Sequence, residues 1–315
     1  MRVLDVFCGA GGFSEGAKKA GAEVIMGVDS DLPALQAWAA NNPDARAVHA
    51  TIPSAVDWPP PAPDLHVHLS PPCQAFSNAS HGSPDEAQIE LFRWALNFVK
   101  PHASWSIETV PTPRARALCD EFNVQTTIVD AADLGMPQQR IRMIAGPAHL
   151  LARLRAMPSR ERASTFASMP TPATHMRNTS SRREKPYVRS VHKPAYTVCA
   201  SHPLTWCNAD GSVVRCMTPR EGAMLQGMSG DFRLPCTQRA AQRAVGNAVH
   251  VDVACAIVAC AQGVDAGPCV TAAAEIPRAV EQDSTAARLI CALLRELCSR
   301  DPSLAEKVLA VVGGR

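Results

Sequence analysis

Short apolar runs and segments with apolar positions at helical spacing follow one another along the first 145 residues, which predicts strands followed by helices. Residues 2–7 form a short apolar run typical of a buried parallel strand, and residues 13–20 carry apolar positions at helical spacing. The same succession recurs up to residue 145, which predicts an α/β fold with helices on both faces of the sheet. The further predicted strands are residues 23–28, 66–69, 103–107, 124–129 and 141–145, and the further predicted helices are residues 33–41, 85–100 and 113–122.

The pattern in the C-terminal half predicts helices and no further parallel sheet. Helical spacing occurs in residues 220–226, 239–245 and 249–261, and residues 263–279 have the composition of a linker. The spacing then predicts an amphipathic helix at residues 283–298, for which we expect a packing partner within the chain or self-association.

Composition argues against several classes of protein. The 12 cysteines include no CxxC pair, so no metal site is expected. No apolar stretch reaches the roughly 20 residues of a membrane span, so no membrane partner is expected. A strand-like run follows Met1 at once, which leaves no room for a signal peptide. We therefore expect a protein that is not secreted, cytoplasmic and nucleoid-associated if the source is prokaryotic or viral, with a nuclear location left open.

Basic residues are concentrated between residues 147 and 220. This segment holds 12 Lys and Arg and 3 acids, a net charge of +9, whereas the rest of the chain carries −7 and the whole chain +2. Such segregation favours a separate lobe that faces a polyanion such as nucleic acid. A solvated basic loop would have the same composition.

A glycine-rich turn follows the first predicted strand. Cys8-Gly9-Ala10-Gly11-Gly12 precedes a predicted helix, and Asp29 ends the second strand. A tight turn between strand and helix is the ordinary role of such glycines. Together with an acid about 20 residues later, which can accept hydrogen bonds from ribose hydroxyls, they predict a Rossmann-like sheet that binds a nucleoside-type ligand. Both a dinucleotide and S-adenosylmethionine fit this pattern.

Reactive side chains follow the ends of the predicted strands. Cys73 comes after a strand and a pair of prolines, although a buried cysteine near a turn is the commoner case. Because ligands of open α/β sheets bind at the carboxyl ends of strands, we expect Asp29, Cys73, Glu108 and Arg142 to gather at one edge. A thiolate can add to an electron-poor ring carbon, a carboxylic acid can protonate a ring nitrogen, and a guanidinium can hold an exocyclic oxygen.

Seven motifs follow one another between residue 2 and about residue 260, at residues 5–12, 29–31, 70–74, 108–110, 137–142, 215–227 and 245–249. They include Ser-Pro-Pro-Cys-Gln around Cys73 and Gln-x-Arg-x-Arg ending at Arg142. In this order they resemble the motifs of the DNA cytosine-5-methyltransferases. The resemblance implies a methyltransferase sheet and transfer of a methyl group from S-adenosylmethionine to C5 of cytosine in double-stranded DNA.

The same resemblance implies roles for individual residues. Cys73 would attack cytosine C6, Glu108 would engage N3 and the exocyclic amine, Arg142 would hold O2, and Arg140 would support the site. The target base must leave the duplex stack, which costs a few kcal/mol. The implied cofactor-binding residues are Phe7, Gly9, Gly11, Gly12, Asp29, Ser30, Thr51, Ile52, Pro72, Asn247, Ala248 and Val249. The implied DNA-binding residues are Gln74 and Ser77 in a lid loop, and Arg177, Arg182, Arg183 and Arg220.

The resemblance also divides the chain. It implies a catalytic and cofactor lobe at residues 1–149, a small target-recognition lobe at 150–238 and a helix returning to the catalytic lobe at 239–262. A linker and a helical tail would occupy residues 263–315. The short recognition region suggests a target of about two to four base pairs, because each base is read by a few side chains.

Three positions depart from the family pattern. Ser30 stands where a bulky apolar residue often covers the adenine, Thr51 replaces an aspartate that often binds its amine, and Thr109 replaces an asparagine. Two alternatives stay open beside a DNA methyltransferase, the first because the recognition region is short and the second because of these departures. One is an RNA cytosine-C5 methyltransferase acting on transfer RNA, and the other is a DNA-binding regulator with a decayed cofactor site.

Overall fold

The computed structural model describes residues 1–72, 86–165, 172–178 and 187–264. Several predicted features lie outside these residues: the nucleophile Cys73, the lid residues Gln74 and Ser77, Arg182 and Arg183, and the tail helix at 283–298.

The main sheet and its flanking helices come from the first half of the chain. Its strands are β1 (Arg2–Val6), β2 (Glu23–Asp29), β3 (Arg46–His49), β4 (Leu65–Leu69), β5 (Ser104–Thr109), β6 (Thr126–Asp130) and β7 (Ile141–Ala145). Its helices are α1 (Gly12–Lys19), α2 (Leu32–Asn41), α3 (Glu86–Phe98), α4 (Pro113–Glu121) and α5 (Ala148–Ala156). The predicted α/β fold is thus confirmed.

The sheet has seven strands in the order β3-β2-β1-β4-β5-β7-β6. All adjacent pairs are parallel except those of β7, which runs antiparallel to β5 and to β6. The expectation that Arg142 follows a strand's carboxyl end is therefore wrong, since Arg142 is the second residue of β7. Because β7 is reversed, its beginning lies at the edge where the parallel strands end, so Arg142 still reaches that edge.

Apolar side chains alternate between the two faces of the sheet. On β1, Val3 belongs to a core that includes Phe13 of α1. Leu4 and Val6 point the other way, into a core that includes Phe92 of α3. Both faces are therefore covered by helices, and the crevice is left at the edge, where strands end and loops begin.

In the described residues after α5, a second, smaller sheet and three helices follow. The sheet is antiparallel in the order β11-β10-β8-β9, with β8 at His175–Asn178, β9 at Val188–Ser190, β10 at Leu204–Cys207 and β11 at Val213–Cys216. The helices are α6 (Pro219–Leu225), α7 (Gln238–Asn247) and α8 (Val251–Gln262). The predicted lobe boundary at 149/150 falls inside α5, whose Leu150 and Leu154 pack in the same core as α8.

Helix α8, the last helix of the described residues, returns to α1. A β-carbon on Gly16 of α1 would lie 2.2 Å from the carbonyl oxygen of Val251, so the two backbones are in contact. The span 238–262 is apolar and long enough to cross a membrane by length and composition, but 89% of its most apolar window is buried inside the protein. Burial against α1 and the sheet accounts for its apolar composition.

Candidate active site

The glycine turn after β1 adopts backbone conformations that favour glycine. Gly9 and Gly11 have φ of +54° and +104°. A β-carbon on Gly9 would meet no described atom within 4 Å, so open space lies in front of the turn. A β-carbon on Gly12 would lie 2.3 Å from the carbonyl oxygen of Val249. The turn therefore lies directly against the segment 247–249, and two groups of predicted cofactor-binding residues meet although they are far apart in sequence.

Asp29 ends β2 beside this turn. Its carboxylate accepts hydrogen bonds from the backbone N–H groups of Gly9 at 2.7 Å and Asp31 at 2.8 Å. Burial raises the pKa of the Asp29 carboxyl above its ordinary value. These bonds fix the carboxylate next to the open space, where it can accept further hydrogen bonds from a ribose.

The other predicted cofactor-binding residues near the turn differ in exposure. Phe7 has a positive φ of 61°, unusual for a residue with a side chain, and its ring meets that of Trp94 edge-on at 6.2 Å. Ile52 is buried, whereas Thr51 and Ser30 are exposed. Pro72 is half-buried at the end of the described segment. Phe7 and Ile52 thus supply apolar surface, while Ser30 and Thr51 add none to the interior.

A buried aspartate behind the turn opens the first motif but was not among the predicted site residues. Asp5 is 1% exposed, and its carboxylate accepts a 2.6 Å hydrogen bond from the Ser14 hydroxyl, which itself accepts one from Trp38 Nε1 at 2.8 Å. Burial raises the pKa of Asp5 to about 7. An acid in the middle of an apolar strand was the signal that could have identified it.

Asp5 should make stability depend on pH in a defined direction. Between about pH 4 and 7 the folded state keeps a proton that the unfolded state releases, so the free energy of unfolding should fall as pH rises, with the loss complete above pH 7. We expect Asp5→Asn to flatten this decline, measured by urea unfolding at pH 5, 6, 7 and 8. The exposed Asp57→Asn serves as the control, and a variant that declines as steeply as the wild type would contradict the assignment.

Glu108 and Arg142 form a close pair at the edge of the sheet. Arg142 Nε lies 2.7 Å from Glu108 Oε1, and the two side chains are 14% and 9% exposed. The contact lacks hydrogen-bond alignment, so Oε1 has no hydrogen-bond partner among the described residues. A buried acceptor of this kind carries a desolvation cost until it is satisfied. The pair is therefore ready to receive a ligand with a matching donor.

Arg140 has a different role from Arg142. It is 2% exposed and donates hydrogen bonds to the carbonyls of Val198 at 3.2 Å, Gly246 at 3.1 Å and Ala248 at 2.8 Å. These bonds tie the segment before β7 to the end of α7 and to a loop of the small lobe. Arg140 therefore supports the site from behind.

Gln138, the first residue of the Gln-x-Arg-x-Arg motif, supports the same junction, a role that the sequence did not assign to it. It is fully buried and donates to the carbonyl of Leu225 at 2.9 Å, and it accepts from the backbone N–H of Val198 at 2.9 Å. Gln226 continues the network by donating to the carbonyl of Val245 at 2.8 Å. The motif glutamines thus join the two lobes through a buried network.

The described basic residues of the small lobe are partly engaged within it. Arg177 donates to the carbonyl of Gly211 at 3.3 Å, and Arg220 donates to that of Phe232 at 2.7 Å. Burial lowers the pKa of Arg220. Arg189 lies 3.9 Å from the ring of Tyr196 and donates to Gln139 Oε1 at 3.2 Å.

In the part of the chain that the structure describes, no group of three or more His, Cys, Asp or Glu could hold a metal ion.

A family model identifies the family to which the chain belongs. The model of the C-5 cytosine-specific DNA methylases matches residues 1–102 and 151–262, which is more than half of the chain. The chain belongs to this family. It is a DNA cytosine-5-methyltransferase, and the prediction from the ordered motifs is confirmed.

Individual relatives agree with the family. The type II methyltransferase M.HgiDI of Herpetosiphon aurantiacus is 29% identical over 289 residues, covering 81% of this chain and 92% of that protein. A DNA modification methyltransferase encoded within an E. coli prophage has a similar structure, with a TM-score of 0.60 and 19% identity over 84% of this chain and 99% of that one. The S. pombe Dnmt2 methyltransferase aligns with a TM-score of 0.56 and 16% identity over 82% of this chain and 97% of that one. The two structural likenesses support the fold of the methyltransferase.

Proposed function

We propose that this methyltransferase transfers a methyl group from S-adenosylmethionine to C5 of a cytosine that has been turned out of double-stranded DNA, through a covalent bond between Cys73 and C6. The observation that carries the proposal is the Glu108–Arg142 pair with its unsatisfied carboxylate oxygen. Cytosine offers N3 and an exocyclic amine on one edge and O2 beside them, and this edge matches an acid next to a guanidinium.

The residues of the cofactor turn fit S-adenosylmethionine. Asp29 presents a fixed carboxylate for ribose hydroxyls, and open space lies in front of Gly9. Phe7 and Ile52 offer apolar surface for the adenine. Bound there, the cofactor supplies an electrophilic methyl group on a sulfonium. The exposed Ser30 and Thr51 leave the adenine contacts to the other residues.

The chain's own groups account for activation of the base. Addition of the Cys73 thiolate to C6 pushes electrons toward N3 and C5, and Glu108 stabilises them by donating a proton or hydrogen bond at N3. Arg142, held against Glu108, binds O2 and keeps the ring in register. C5 then carries the electron pair that takes up the methyl group, and S-adenosylhomocysteine leaves. A base from solvent removes the C5 proton, the electrons of that bond re-form the C5–C6 double bond and expel the Cys73 thiolate, and a proton taken up at N3 returns to Glu108.

Double-stranded DNA is the proposed substrate, and the type II names of the relatives favour a role in restriction and modification. The net charge of +9 over residues 147–220 supports contact with the phosphate backbone. Arg177 and Arg220 remain candidates for DNA contacts, together with Arg182, Arg183, Gln74 and Ser77, which lie outside the described residues.

A methylation assay tests the proposal. The full chain is incubated with labelled S-adenosylmethionine and either mixed-sequence duplex DNA or transfer RNA, and the products are examined by bisulfite sequencing. We expect label at C5 of cytosine in DNA. Label confined to RNA would replace the proposed substrate, and calorimetric titration showing no cofactor binding would favour a decayed regulator.

A further inference from the structure

A chain of hydrogen bonds between histidines and serines runs through the middle of the sheet. His66 Nδ1 and Nε2 lie 2.8 Å from Ser104 Oγ and 2.9 Å from Ser106 Oγ. His68 Nδ1 and Nε2 lie 2.8 Å from Ser106 Oγ and 2.7 Å from Ser70 Oγ. Both ring nitrogens of both histidines are therefore bonded, and the chain ends at Ser70, the residue before the proline pair.

The period of the strand produces this chain. His66 and His68 lie on β4 opposite Ser104 and Ser106 of the neighbouring β5, so the four side chains share one face of the sheet. The last pair of this register is Leu69 and Ile107, and continuing it by one residue places Ser70 opposite Glu108. The chain thus leads from the start of β5 to the edge that carries the active site.

Both histidines are neutral and immobile. Each has no exposed surface, and burial lowers the pKa of His66 to about 3 and that of His68 well below its ordinary value. The ring of Phe13 stacks on His68 at 3.4 Å with an interplanar angle of 2°. A neutral imidazole donates from one nitrogen and accepts at the other, so all the bonds can run in one direction along the chain.

Backbone N–H groups cannot fix the two residues that follow Ser70. The N–H of Ser70 donates to the carbonyl of Val6 at 3.1 Å, but Pro71 and Pro72 have no N–H to donate. The bond between Ser70 Oγ and His68 Nε2 is therefore the last side-chain bond, within the described residues, that orients the chain before the Pro-Cys motif.

We propose that His68 is a positioning residue that acts through Ser70. It sets the direction in which the chain leaves β4 at the proline pair, and with it the place from which Cys73 attacks. This inference rests on the proposed function, because it assumes that Cys73 is the nucleophile. His66 makes the same kind of contacts in the same face but does not touch Ser70, and so provides a matched control.

Single-turnover methylation of duplex DNA by full-length variants tests the proposal. A misplaced reacting group can lower a rate by as much as about 10²-fold, so we expect His68→Leu and Ser70→Ala to react at least about 10-fold more slowly. Their affinity for S-adenosylmethionine, measured by calorimetry, should fall by less than about threefold, because Pro72 follows Ser70 but the glycine turn and Asp29 belong to other strands and are not changed. The amide of His68→Gln can still hydrogen-bond Ser70 Oγ, as Nε2 of the imidazole does, and should keep the rate within about threefold of the wild type. His66→Leu should also stay within about threefold.

Each outcome decides the matter. If His68→Leu and Ser70→Ala are as active as an active wild type, the hydrogen-bonded histidines and serines only fill the core. The same conclusion follows if His66→Leu slows the reaction as much as His68→Leu does. If circular dichroism shows that His68→Leu does not fold, Ser70→Ala carries the comparison alone. A wild type that places no label on cytosine would overturn the proposed function and this inference together.

Discussion

Cys73→Ser is expected to lower the rate of methyl transfer at least about 10³-fold, since the nucleophile is the residue on which covalent catalysis depends most. A serine hydroxyl is scarcely ionised at pH 7, whereas a few per cent of an ordinary cysteine is already thiolate. Affinity for S-adenosylmethionine should stay within about twofold, because the glycine turn and Asp29 are unchanged. Transfer of label to duplex DNA measures the rate, and calorimetry measures the affinity.

Cys216→Ser provides the matched control for this experiment. Cys216 is a free, exposed cysteine on β11 of the small lobe. Its replacement should leave the rate of methyl transfer unchanged. The comparison with Cys73→Ser then shows that the effect belongs to Cys73 and not to the removal of any thiol. Full activity of Cys73→Ser would remove the covalent step from the proposal, although the family assignment would stand.

Gly246→Ala is expected to destabilise the protein by at least about 3 kcal/mol, toward the upper end of the cost of overpacking. A β-carbon on Gly246 would lie 2.1 Å from the backbone nitrogen of Ala200 and 2.3 Å from the carbonyl carbon of Cys199. Neither atom is at the end of a flexible side chain, so helix α7 and the loop that contains Cys199 and Ala200 must separate. The separation would also disturb the bonds from Arg140 to the carbonyls of Gly246 and Val198.

Thermal and urea unfolding measure this second effect. The gain in helix propensity from Gly to Ala, about 1 kcal/mol, offsets only part of the loss. Gly230→Ala is the control, because a β-carbon there would meet no described atom within 4 Å. A Gly246→Ala protein as stable as the wild type would show that α7 and the small lobe can move apart freely. It would also weaken the role assigned to Arg140.

Local patterns were sufficient for most of the catalytic lobe. The apolar runs of β1, β2, β4 and β5 are short and buried, and the helices between them have regular spacing, so both were predicted close to their observed bounds. Strand β3 was missed because it is a short edge strand with one strongly apolar side chain, Val48. Helix α5 was not predicted although Leu150, Leu151 and Leu154 have helical spacing, because the region was interpreted from its basic composition as a lobe facing a polyanion.

The small lobe was the least predictable part. Strands β8 to β11 have at most four residues each, and β11 is exposed throughout. Such strands are defined by their partners and not by their own pattern. The buried glutamine network around Gln138 was hidden for a similar reason, since its partners Val198 and Leu225 come from distant parts of the chain.

The sequence by itself determined the family, the order of the motifs and the kinds of reactive groups, because these depend on residue type and on short-range spacing. The tertiary structure alone decided which groups meet. It reversed β7 and so brought Arg142 to within 2.7 Å of Glu108, it returned α8 to α1 and so placed Val249 against Gly12, and it aligned β4 with β5 to form the chain that ends at Ser70. Each of these depends on pairing between segments far apart in the chain, which local hydrophobic patterns do not specify.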